Sequence, residues 1–129
     1  MIKIMAKYLI ILNSGPEEPS RATAAFLTAK ALVEKGDEVA IWLYNHAVYL
    51  AVEGVPSEVQ APGLPPFEDL FLFLTKTKNV PLYIGVSCAI GRGLVTHDQK
   101  PKVKFSAGEL AGPPKLAELI KEADNVLVF

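Results

Sequence analysis

Two kinds of hydrophobic run alternate along this chain. Tyr8-Leu9-Ile10-Ile11-Leu12 is continuously apolar, the pattern of a strand covered on both faces in a parallel sheet. Asn13-Ser14-Gly15-Pro16 ends it with turn residues. From Pro19 to Lys35 the period lengthens, and Ala22, Ala25, Phe26, Ala29, Leu32 and Val33 form one stripe of an amphipathic helix. Pro19 and Ser20 suit its first turn, Glu17 and Glu18 its positive end, and Gly36 the left-handed position beyond its last turn. Val39 to Tyr44 predicts a second buried strand, and His46 to Val52 a short helix. Residues 54–66 carry Pro56, Pro62, Pro65 and Pro66 with Gly54 and Gly63, and read as an irregular loop. Phe67, Leu70, Phe71 and Leu74 predict a helix opened by Pro66. Leu72 and Phe73 widen its apolar surface, so either both sides are buried in the fold or one meets another subunit. Pro81 to Val86 is the third expected strand, and residues 87–101 show no clear period. A short strand is expected at Val103 to Ser106, a helix opened by Pro113 and Pro114, and a last strand at Val126 to Phe129.

This alternation predicts an α/β fold of three layers, with helices on both sides of a mostly parallel sheet. A chain of 129 residues fits one domain, spanning 1–129, around one core. Half of the residues are apolar and the mean hydropathy is +0.28, high for so small a soluble protein. Part of that apolar surface is therefore expected to be covered by further copies of the chain, as a homo-oligomer.

Charge excludes more than it suggests. With 13 basic and 14 acidic side chains, the net charge of -1 offers no attraction to nucleic acid or to an anionic membrane. Lys100, Lys102 and Lys104 alternate as the solvated face of an extended segment would. The lone cysteine forms no internal disulfide and no thiolate-rich zinc site, which fits a cytoplasmic location where thiols stay reduced. The run Met1 to Leu12 is short, stops at Asn13 and lacks a small-residue cleavage site, so it reads as a first core strand rather than a signal sequence. No apolar run is long enough to span a bilayer.

In parallel sheets, ligands collect beyond the carboxyl ends of the strands. The loops Asn13 to Ser20, Tyr44 to Val48 and Ser87 to His97 occupy that position. Cys88 follows the third strand, where unpaired backbone N–H groups would favour its thiolate. It reads either as a reactive thiol or as a buried, inert small hydrophobe. Arg92 would lie one helical turn beyond it and add a fixed positive charge, and His97 could pair with it if the intervening loop folds back. His46 reads as a surface or capping residue or as a site residue, and Asn13 and Ser14 as turn formers or as site residues. Ser87 stands beside the cysteine. A metal would require both histidines and Cys88 to converge from distant loops, so neither metal nor cofactor is expected. Phosphate binding at the first loop is disfavoured by Glu17 and Glu18 and by the lack of a Walker pattern. Gly91-Arg92-Gly93 lacks the remaining glycine of a dinucleotide fingerprint, and no aspartate ends the first strand as a phosphoacceptor would.

The order of these pieces resembles the DsrE/DsrF-like family of small sulfur-relay proteins. The resemblance rests on Tyr8 to Gly15, the helix Ala22 to Lys35, the segment Val39 to Ala51, Val86-Ser-Cys-Ala-Ile-Gly-Arg-Gly93, and the ending Leu116 to Phe129. It implies a five-stranded parallel sheet of order 4-3-2-1-5, a trimer or hexamer, and a Cys88 that carries sulfur as a persulfide between donor and acceptor proteins. The long proline-rich loop and His46, where relatives often have an acidic residue or glycine, depart from the family pattern. Two alternatives remain at this point. One is an oligomeric binding or scaffold protein with a small-ligand pocket between subunits and an incidental Cys88. The other is a subunit that needs a partner chain to act.

Overall fold

The computed structural model describes residues 5–129; the first four residues of the expected Met1–Leu12 run lie outside the described residues. Strand β1 (Lys7–Leu12) leads into helix α1 (Pro19–Glu34), followed by β2 (Glu38–Leu43) and a 3-10 helical segment over Asn45–Ala51. A further 3-10 turn, Pro56–Glu58, interrupts the proline-rich loop. Helix α2 (Phe67–Leu72) runs on into a π-helical turn over Phe73–Thr77. Then come β3 (Leu82–Gly85), α3 (Val86–Gly91), β4 (Glu109–Ala111), α4 (Pro113–Glu122) and β5 (Asn125–Val128). The five strands form one sheet of order β4-β3-β2-β1-β5, and every neighbouring pair is parallel. That is the order the resemblance implied.

Strand alternation distributes side chains to the two faces. Ile10, Leu12, Ile41, Leu43, Leu82 and Ile84 join the larger core with Ala22, Ala25, Phe26 and Ala29 of α1 and Phe67, Leu70 and Phe71 of α2. Phe26 and Phe67 meet with ring centroids 4.6 Å apart, and Phe71 packs about 6 Å from both. Each such ring or branched side chain contributes about 1.5–3 kcal/mol by leaving water. The opposite face carries Leu9, Trp42 and Tyr83 beneath Leu116, Leu119 and Ala123 of α4. None of the residues of α4 is fully buried, so this second layer is thin.

Two expectations are corrected. The fourth strand lies at Glu109–Ala111, not at Val103 to Ser106. Phe105 instead makes an isolated antiparallel bridge with Val52, outside the sheet. Gly108, with φ +97°, admits the chain to the sheet: a Cβ there would stand 3.0 Å from the Ile84 side chain. The aperiodic stretch after the third strand also begins with helix α3, which opens at Val86, so β3 stops at Gly85.

Candidate functional site

Three loops at the carboxyl ends of β1, β2 and β3 meet. The first, after β1, is held to its neighbours through Asn13, whose Oδ1 accepts from Asn45 Nδ2 at 3.3 Å. The backbone N–H of Asn13 donates to the carbonyl of Phe129 at 2.9 Å, tying this loop to the chain's end. Ser14 is buried and its hydroxyl donates to Glu18 Oε2 at 2.6 Å, while Gly15 N–H donates to Glu17 Oε1 at 2.8 Å. Ser14 and both carboxylates thus build the turn into α1. Gly15 has a specific reason to be glycine: a Cβ would collide with the carbonyl oxygen of His46 and stand 2.8 Å from its carbon. The first and second loops touch backbone to backbone only because that Cβ is missing.

Asn45 opens the second loop with φ +51°, a left-handed conformation that asparagine tolerates better than most residues. At the start of this turn its backbone N–H donates to Cys88 Sγ, 3.2 Å away. Cys88 is partly exposed on α3. A backbone donor at that distance stabilises negative charge on the sulfur, a requirement for a nucleophilic thiolate.

Arg92 falls one turn beyond Cys88, as the spacing predicted, yet its guanidinium reaches the carbonyl oxygen of Cys88 (Nη1 to O, 3.2 Å) rather than the sulfur. Its Nη2 lies 3.2 Å from His46 Nδ1. A guanidinium only donates, so His46 Nδ1 accepts and the ring hydrogen sits on Nε2. The pair clamps the second loop to α3 and so holds Asn45 against Cys88. Arg92 Nε is buried with no protein partner among the described residues.

A pocket of about 220 Å³ opens beside the sulfur, lined by Trp42, Tyr44, Gly85, Val86, Ser87 and Cys88 on one side and Ala111, Gly112, Pro113 and Leu116 on the other. Ser87 is exposed at its edge. A larger cavity of about 490 Å³ lies at the opposite, amino end of the sheet, around Lys7, Tyr8, Glu38 and Pro81, away from the cysteine. Trp42 is 2% exposed, and its Nε1 has no hydrogen-bond partner among the described residues. An unmet buried donor of this kind costs about 1–3 kcal/mol.

The structure therefore brings Asn13, His46, Ser87, Cys88 and Arg92 together, with Ser14 in the adjoining turn. It does not bring His97 to them. That residue is exposed in the hairpin bridged by Val95 and Pro101, with no hydrogen bond to the site among the described residues. No group of three or more histidine, cysteine, aspartate or glutamate side chains is placed to hold a metal among the described residues. Nor is any helix among them long and apolar enough to cross a membrane. Asn45, Trp42, Gly85 and Gly15 were not singled out from the sequence. The asparagine after a strand was the available signal for Asn45, and the lone buried tryptophan for Trp42.

The same overall fold occurs in a solved structure, and the sequence matches known proteins. Residues 6–129 match the DsrE/DsrF-like family. The chain belongs to that family. Among DsrE/DsrF-like relatives, a protein named sulfurtransferase TusD from Proteus mirabilis is 32% identical over 127 residues, covering 92% of this chain and 95% of its own. An uncharacterised protein from Methanocaldococcus jannaschii is 31% identical over 124 residues, covering 95% of this chain and 99% of its own. The crystal structure of the ychN protein from E. coli superposes with a TM-score of 0.77 at 27% identity, over 97% of this chain and all of that one.

Proposed function

We propose that this DsrE/DsrF-like protein is a sulfur carrier in which Cys88 accepts a sulfane sulfur and passes it on. The single observation that carries the reading is the Asn45 N–H directed at Cys88 Sγ, at the mouth of an open pocket. The kinship with a sulfurtransferase supports it. The Cys88 thiolate attacks the outer sulfur of a donor persulfide, R–S–SH. The new Sγ–S bond forms, the donor's S–S bond breaks, and R–S⁻ leaves with the electron pair. An acceptor thiolate then attacks the outer sulfur of Cys88–S–SH and returns Cys88 as thiolate. No external oxidant or reductant enters, because the sulfane sulfur is exchanged between equivalent bonds.

Arg92 and His46 act in this reading by holding the second loop on α3. Asn13 steadies Asn45, and Ser87 edges the entry for the donor. Donor and acceptor are other thiol-bearing proteins, and the protein works in the cytoplasm as a homo-oligomer, a trimer or hexamer. Exposed Leu72, Ile120, Val126 and Val128 supply apolar surface for such assembly.

Intact-mass measurement after incubation with a small-molecule persulfide tests the reading. A gain of one sulfur atom that disappears in Cys88→Ser is expected. An unchanged mass, with Cys88 unreactive toward alkylating reagents, overturns it in favour of a binding protein without covalent chemistry.

A further inference from the structure

We propose that the indole N–H of Trp42 is the hydrogen-bond donor that holds the outer sulfur of the Cys88 persulfide. This inference rests on the carrier reading above and states where the transferred atom sits.

Trp42 is almost fully buried, yet no protein group accepts from its Nε1 among the described residues. The space beside this nitrogen is bounded by Gly85. A Cβ on Gly85 would stand 3.5 Å from Trp42 Nε1 and 3.6 Å from Cys88 Sγ, with Leu43 O at 3.1 Å. The absent side chain thus leaves a notch that borders both the indole donor and the thiol, and the pocket of about 220 Å³ opens from it. An outer sulfur bonded to Cys88 projects about 2 Å beyond Sγ, the length of a sulfur–sulfur bond. Directed toward the place of the missing Gly85 Cβ, 3.6 Å from Sγ, that reach enters the notch that the indole nitrogen borders.

The chemistry of the two donors is complementary. Asn45 N–H faces the inner sulfur at 3.2 Å, and Trp42 N–H is left for the outer one. An indole only donates, so it suits an atom bearing lone pairs and negative charge, such as the terminal sulfur of Cys88–S–S⁻. Beside the apolar walls of Ala111 and Leu116, such a charge-assisted bond is stronger than it would be in water. The loading step itself is the balanced exchange already given, followed by release of the persulfide proton to solvent.

The chain has a single tryptophan, so its indole gives one identifiable proton–nitrogen cross-peak. Loading with a small-molecule persulfide, verified by intact mass, is expected to move that cross-peak and slow its exchange with solvent. Cys88→Ser should show neither change. Trp42→Phe keeps an aromatic ring against Tyr83 but removes the donor, and should retain the sulfur about tenfold less against a competing thiol. A mass gain of one sulfur with an unmoved indole signal overturns the role of Trp42 and leaves the carrier reading intact. Failure of Cys88 to gain sulfur overturns both. Should Trp42→Phe fold poorly, the cross-peak of the unaltered chain decides.

Discussion

The backbone N–H of Asn45 lies 3.2 Å from Cys88 Sγ, although 43 residues separate the two along the chain. The contact is made by main chain, so what Asn45 contributes is a conformation. Its φ of +51° turns the chain away from the strand direction just beyond that amide, so the N–H that faces α3 stands where the second loop begins.

Glycine and a β-branched residue should therefore part company at this position. Asn45→Gly retains the left-handed turn and the N–H, losing only the side-chain bond to Asn13. Its rate of Cys88 alkylation should stay within a fewfold of the unaltered chain. Asn45→Val opposes the turn by about 1–2 kcal/mol and displaces the amide. Its alkylation should be clearly slower, and equal rates for the two variants would remove the amide from the account.

Gly15 is the second backbone device. A methyl group there meets the carbonyl of His46, main chain that has no flexible end to yield. Gly15→Ala should destabilise the fold by about 1–3 kcal/mol, the usual range for overpacking, as read by urea denaturation. It should also weaken sulfur loading, because the displaced segment carries Asn45. Gly36→Ala is the control: an added side chain there meets nothing within 4 Å but strains a φ of +90°, so it should lose stability without changing loading.

Arg92 and His46 should behave as one unit. The guanidinium binds the Cys88 carbonyl and the His46 ring at once, so replacing either partner releases the second loop. Arg92→Lys loses the planar fork and should lower loading severalfold. Combined with His46→Ala, the double variant should be little worse than Arg92→Lys alone. A double-mutant cycle read by loading rate measures that coupling, and fully additive losses would mean that the two residues act separately.

What was legible in the sequence follows from how each feature is encoded. Continuous apolar runs marked β1 and β2, and the 3.6-residue stripe marked α1, because burial leaves its pattern in the side chains themselves. Cys88 and Arg92 were visible as chemistry at a helical spacing. The fourth strand was misplaced because it is only three residues long and contributes few apolar positions, whereas Val103 and Phe105 mimic a strand and pair outside the sheet. The donors around the sulfur were hidden for a different reason. Asn45 acts through its amide, Gly15 and Gly85 leave room through a missing Cβ, and Trp42 stands out only by a buried N–H without a partner among the described residues. None of these has a side-chain signature at a fixed spacing.

The hairpin that carries His97 should prove separable from the sulfur site. The Asp98 carboxyl is held below its ordinary value, first by the Thr96 hydroxyl, then by its own backbone N–H and by Lys100, against a small opposing effect of burial. A lowered folded-state value means that this carboxylate contributes stability above its unfolded pKa and loses it as pH falls through the folded one. Asp98→Asn should therefore cost a little stability at neutral pH, and nothing in acid where the native carboxyl is already protonated. Thermal melts across that range measure the difference. Sulfur loading of Asp98→Asn and of His97→Ala should match the unaltered chain, since the turn bonds Thr96 to Asp98 and to Lys100 and sends no hydrogen bond to Cys88 among the described residues. A loading defect in His97→Ala with an unchanged melt would place that imidazole in the transfer step, and the hairpin would then have to close over the cysteine when a donor binds.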